Sequence, residues 1–214
     1  MKRDNKGFSL IELVVVVAII AILVGAISVN LGLIKKYHAK ECRQMVYASI
    51  ENGRIMSLSK SSGGTTTDDT LTYLSFFKNG ADGCNYYAIV VEGVVTDVKK
   101  ISKSDVRIYF GPTNTPASAS QINGFTCLDS YTVSGAPKNI NITKVTDAAA
   151  AGSAWATDVA NGYRVAFNRS TGGLLKDGSG NINLSIYAAA GKYYYPVYLY
   201  RTTGKAKTGS VIYA

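Results

Sequence analysis

The residues best placed to do chemistry are few, and the first is an acid in an apolar setting. Glu12 stands at the head of an uncharged run from Leu13 to Ile34, where an unpaired carboxylate costs on the order of a few kcal/mol or more. Only a cation offsets that cost, so Glu12 points to ion pairing rather than to catalysis. The second group is made of the three cysteines and the single histidine. If the part of the chain that carries them is exported, oxidising conditions favour a Cys84–Cys127 disulfide closing a loop of about 43 residues, worth roughly 2–4 kcal/mol. Cys42 is then left odd. His38 and Cys42 are four apart and share one face of a helix, so His38, Cys42, Cys84 and Cys127 are also a tetrahedral donor set for Zn²⁺. Free buried thiols, with His38 merely satisfied, are the third reading, and no cofactor other than zinc is indicated. The third group is cationic: Lys192, Arg201, Lys205 and Lys207 follow the last acid, Asp177, among Tyr193, Tyr194, Tyr195, Tyr198 and Tyr200. Charge interleaved with rings suits phosphate and stacked bases, and it equally suits a solvated edge strand. No Gly-rich phosphate loop follows a strand and no Gly-x-Ser-x-Gly elbow is present, so the chain is not read as an enzyme.

These groups must be positioned by longer elements. The 22 residues from Leu13 to Ile34 would reach roughly 33 Å as a helix, enough for a bilayer core of about 30 Å. Lys2, Arg3 and Lys6 come first, as on a cytoplasmic side, and no small-residue cleavage site follows the run, unlike a secretory leader. Beyond it Leu31, Ile34, His38, Cys42, Met45, Ser49, Asn52 and Met56 recur at three and four residues, which predicts one helix continuing to about Leu58. Gly25, Ser28 and Gly32 weaken its apolar half, and Asn30 is polar at that depth. Lys60 to Asp69 reads as a loop and a hinge. Further on, Tyr86–Val91 and Val94–Val98 read as a hairpin around Glu92-Gly93. Strands are expected at Val106–Phe110, Asn139–Val145, Tyr163–Phe167, Asn181–Tyr187 and Tyr194–Tyr200. Pro196 places that last strand at an edge or marks its start. Thr113 to Gln121 reads as loop, and Thr146 to Ala160 fits either a loop or a short helix, with a helical turn favoured.

The order Lys6-Gly7-Phe8-Ser9-Leu10-Ile11-Glu12 resembles the class III leader of type IV prepilins and type II secretion pseudopilins. The resemblance implies an α+β, pilin-like fold: a long N-terminal transmembrane and stem α-helix packed on a mostly antiparallel β head. It divides the chain into a leader at 1–7, a hydrophobic helix and amphipathic stem at 8–60, and a β-rich head at 61–214. It also implies that a prepilin peptidase cuts between Gly7 and Phe8 and methylates the new amino terminus of Phe8. Glu12, then the fifth residue, would neutralise the Phe8 amine of a neighbouring subunit; a buried acid and a buried amine are each far costlier alone. Implied partners are other pilin subunits in a helical filament, an inner-membrane assembly platform and the membrane itself. The precursor is expected in the cytoplasmic membrane, and the product in an extracellular pilus or a periplasmic or cell-wall pseudopilus. Where many pilins have a helix-breaking Pro, this chain has Val29. The tail, with Val165-Ala166-Phe167-Asn168, Thr171-Gly172, Val197-Tyr198-Leu199-Tyr200 and Thr203-Gly204-Lys205, is similar to the closing strands of H-type minor pseudopilins and related minor pilins. That likeness implies two packed antiparallel sheets instead of one four-stranded sheet.

Composition bounds the rest. At 214 residues, 47% of them hydrophobic, the chain suits one domain with an extension. Its 15 Tyr, 21 Gly and 4 Pro lean towards strands and turns. A net charge of +9 draws the surface towards DNA, anionic lipid or an acidic surface polymer. Three functions compete: a structural filament subunit, a minor tip subunit whose basic head captures DNA or a surface polymer, and a plain membrane-anchored sensor that would keep Met1.

Overall fold

The computed structural model describes residues 9–59, 72–91, 94–112, 115–131, 158–159, 161–175 and 184–214, the side chains of 26–31 and 94 excepted. Helix α1 runs over Leu10–Ser59, 50 residues and about 75 Å at ~1.5 Å per residue. Its two halves meet different surroundings. Every described side chain from 10 to 25 is exposed, whereas Ala39, Cys42, Val46, Ser49, Ile50, Gly53 and Ser57 form a buried line at steps of three and four. The expected stripe shares only Cys42 and Ser49 with that line. Ile34 and Met56 are exposed, and Asn52 is exposed as well. The line is turned by about one residue because the helix lies close against β structure, and small residues permit the approach. A Cβ built on Gly53 would stand 2.8 Å from Leu74 Cγ.

The strands, in chain order, are β1 Thr72–Lys78, β2 Asn85–Val91, β3 Val94–Lys100, β4 Arg107–Gly111, β5 Thr126–Cys127, β6 Tyr163–Phe167, β7 Leu184–Ala190, β8 Tyr193–Leu199, β9 Ala206–Thr208 and β10 Ile212–Tyr213. They form two antiparallel sheets, one ordered β3-β2-β1-β6 and one ordered β10-β8-β7-β4-β5, with β9 also paired to β8. The inner faces of both sheets and the lower half of α1 share one core, through Leu74, Phe76, Ile89, Phe110, Ile186 and Val197 among others. Phe76 and Phe110, one from each sheet, lie 5.8 Å apart. The outer faces are covered too: Tyr73, Phe77 and Val90 pack with Val159, and Tyr109, Tyr187 and Tyr198 pack with Ile122. Burial on both faces is why β7 and β8 are apolar almost throughout and why β1, β7 and β8 lack alternation.

The arrangement is α+β and pilin-like, an N-terminal helix followed by antiparallel sheets. The β2–β3 hairpin is present, with a bulge at Ile89/Val90 where Thr96 Oγ1 donates to the Ile89 carbonyl at 3.2 Å. At the end of the stretch read as loop and just beyond it, residues 119–123 form a short helix, α2 (Ala119–Asn123), opened by a Ser118/Gln121 capping box and held by the fully buried Ile122. Pro196 is neither at an edge nor first in its strand. It pairs with Tyr187 of β7, and on its other side β10 ends at Tyr194 and β9 begins at Val197. The missing N–H therefore falls in the gap between two short neighbours. The Lys60–Asp69 hinge, the Asn139–Val145 strand and most of the 146–160 turn lie outside the described residues.

Candidate functional site

The amino-terminal turn is built by its own side chains. Ser9 Oγ accepts the Glu12 N–H at 3.2 Å, and the Ser9 carbonyl accepts the N–H groups of Glu12 and Leu13 at 3.1 and 3.2 Å. Ser9 thus caps α1, and Glu12 sits at its third position, where a carboxylate favours the positive end of the helix dipole. The Ser-x-x-Glu spacing carried that signal, which the reading of Glu12 as an isolated acid missed. Among the described residues no cation pairs with Glu12. Gly7 and Phe8 lie outside them. Twelve large aliphatic side chains from Leu10 to Val24 are exposed, Leu10 by 82%.

Residues 2–28 match the family model described as the prokaryotic N-terminal methylation motif. The amino terminus is a prepilin leader. This agrees with the type IV pilin and pseudopilin family, and it implies processing by a prepilin peptidase and assembly with other pilin subunits. No curated protein and no solved structure matches the chain. A prepilin leader implies a membrane-anchored precursor. Among the described residues no helix is long and apolar enough to cross a membrane; the apolar stretch 10–25 reaches roughly 24 Å against a core of about 30 Å. The expected crossing by Leu13–Ile34 includes 26–31, whose side chains lie outside the description.

Behind the prepilin leader, the structure separates the cysteines. All three are free thiols, so the expected Cys84–Cys127 disulfide is not formed. Cys84 precedes β2 in one sheet, its N–H on Asp82 Oδ1 at 2.9 Å and its Sγ on the Asp82 carbonyl at 3.5 Å. Cys127 lies in β5 of the other sheet, opposite Tyr109. Burial raises the Asp82 carboxyl, but hydrogen bonds from the Cys84 N–H, the Tyr86 hydroxyl and the Lys100 ammonium outweigh it and hold the group at about 2. The expected zinc set does not assemble either: among the described residues no three of His, Cys, Asp and Glu gather as metal ligands. His38 and Cys42 do share a face, yet both dock the stem on the β3–β4 connection. His38 Nδ1 lies 2.8 Å from Asp105 Oδ2. Burial pushes the Cys42 thiol up to about 12, a hydrogen bond with Ser102 offsetting only part of this.

The basic tail is also divided. Lys192 sits in the β7–β8 turn, where Gly191 takes a φ of 59°; Arg201 and Lys205 lie beyond the other end of β8, about 23 Å away at ~3.3 Å per residue, and Lys207 lies in β9 beside that end, paired with Tyr198. All four are exposed. Of the interleaved rings, Tyr194, Tyr195 and Tyr198 are buried, which removes the continuous stacking platform. The two Gly turns of the tail instead meet each other: the Gly204 Cα approaches the Gly172 carbonyl, Leu174 N–H donates to the Arg201 carbonyl at 2.8 Å, and Arg54 Nε on α1 donates to the Thr203 carbonyl at 2.6 Å. Further along α1, Glu51 Oε1 accepts the Ala206 N–H at 3.1 Å and Arg43 donates to the Gly209 carbonyl at 3.2 Å. The charges on this stretch of stem serve the backbone of the last strands.

Proposed function

We propose that the chain is a structural subunit of a type IV pilus or a related pseudopilus. The peptidase cuts between Gly7 and Phe8, methylates Phe8, and leaves Glu12 to meet the Phe8 amine of a neighbour as α1 passes from lipid into a filament core. One observation carries this: a methylation motif opens a helix whose described side chains from 10 to 25 are exposed while its second half completes the core of the head. Leaving those twelve aliphatic side chains in water costs on the order of 10–20 kcal/mol, as much as a domain's whole stability. Lipid and sister helices both remove that cost. Mass spectrometry of the cellular product tests the reading: loss of residues 1–7 and gain of one methyl group are expected, and a product retaining Met1 overturns it.

A second reading, a tip subunit that captures DNA or a surface polymer, is supported by the exposed cations Arg201, Lys205 and Lys207 beside the Arg54-anchored turn. Lys192 stands apart from them. Changing the three to Ala would abolish DNA capture on intact filaments if this reading holds, and would leave capture unchanged if it does not.

A further inference from the structure

At the end of β1 three segments close around Lys78: the turn from Asn79 to Gly83, the 3₁₀ turn Leu128–Ser130 with Tyr131, and the helical residues that lead into β6. Between them lies an open cleft of about 340 Å³ lined in part by Phe77, Lys78, Asp129, Tyr131, Asp158 and Asn161. That volume stands at the lower end of the ~300–1,000 Å³ of small-molecule sites. Its aromatic walls are held from behind. Tyr131 meets the Tyr163 ring edge-on at 5.2 Å, Tyr163 stacks on Phe110 at 3.7 Å, and Phe77 stacks on Tyr86 at 5.8 Å.

The charges of the cleft select among ligands. Asp129 is matched by two cations, Lys78 Nζ at 3.1 Å and Arg107 Nε at 3.6 Å. Among the described residues Asp158 has no ion-pair partner, and its one hydrogen bond there is a long one from the Gly80 N–H, 3.4 Å. Burial outweighs that bond and holds the Asp158 carboxyl above its usual range. A carboxylate offers about four acceptor positions, so the described residues leave most of its capacity unfilled. Asp158 repels an anion such as a phosphate, and Lys78, which lines the same cleft and is ion-paired with Asp129, disfavours a cationic ligand. A divalent metal ion wants about six oxygen ligands, and one uncompensated carboxylate falls short of that. What fits is an uncharged molecule with several hydroxyls and an apolar face.

We propose that this cleft binds a neutral saccharide unit, its hydroxyls on the Asp158 carboxylate and the Asn161 amide, and its C–H face against Tyr131. The site belongs to the head and does not rest on filament assembly, so it is tested on the unassembled full chain in a detergent without a sugar headgroup. Saturation-transfer NMR with maltose, lactose and diacetylchitobiose at about 10 mM should show transfer to at least one of them, with an affinity lowered about tenfold or more in both Asp158→Ala and Asn161→Ala. Asn161 is exposed, so its variant reports on binding with the fold intact. Absence of transfer to all three sugars overturns the proposal. So does transfer that is undiminished in both variants, or tighter binding of glucose 6-phosphate or glucosamine than of the neutral sugars.

Discussion

Glu12 has two separable tasks. Its N–H completes the Ser9 cap, and in the proposed assembly its carboxylate meets an amine. Glu12→Gln keeps the first task and loses the second, so cleavage should proceed while filament yield, measured by shearing and immunoblot, falls tenfold or more, the ~1.4 kcal/mol that each decade of yield represents being well within the worth of a desolvated ion pair. The thiols differ in reach: Cys127 is half-buried, Cys84 is 6% exposed and Cys42 fully buried. A thiol-specific dye should label Cys127 first and Cys42 only in denaturant, with no reductant needed. Cys42 and Tyr198 also set an alkaline limit. Burial raises both to about 12, and Tyr187 adds to the shift of Tyr198. In the unfolded chain they ionise near 9 and 10, so the unfolded state releases protons that the folded state keeps. Stability is therefore full below about pH 9 and falls as pH rises towards 12. Denaturant midpoints measured along that range should decline, and less steeply in Cys42→Ala.

α1 starts at Leu10 for a local reason, the Ser9 cap, and runs on through β-branched residues of only middling helix propensity, but its docking depends on small residues. Gly53→Val drives a branched side chain into Leu74, 2.8 Å from the position of its first carbon, and should cost about 1–3 kcal/mol in denaturant unfolding. Ser57→Ala removes the donor to the Phe167 carbonyl, 3.1 Å away and buried, and should cost about 1–3 kcal/mol. Arg54→Ala releases the Thr203 carbonyl; amide exchange should quicken at Gly204 and Lys205 before it does in β7. The apolar stripe was legible as a period in the chain and not as a direction. Periodicity weights large apolar residues, whereas the contact line follows closest approach, through Ala39, Gly53 and Ser57. The short α2 was legible in Ser118 and Gln121, a capping pair inside a Ser- and Ala-rich stretch that composition marks as loop.

The head unites two sheets and the lower stem around one interior, so its parts should not melt separately. Phe110→Ala removes the ring that meets both Phe76 and Tyr163 and should cost about 3–5 kcal/mol. Far-UV and tyrosine near-UV signals should then still fall together in one transition. The molecule is otherwise divided between a head that satisfies its own apolar surface and an N-terminal rod that cannot. That division is the reason a free chain in water is not its working state.

Local order along the chain was enough for the prepilin leader, the helix that follows it and most strands, because those signals are set within about ten residues by charge, capping and periodicity. Partnership across the chain was not. Which cysteine faces which, whether the tail cations converge, where Pro196 finds its gap and how Asp158 comes to line one cleft with Lys78 all depend on strand order and on the turn of α1. Neither is encoded in spacing, since the same alternating pattern fits many pairings until contacts distant in sequence select one.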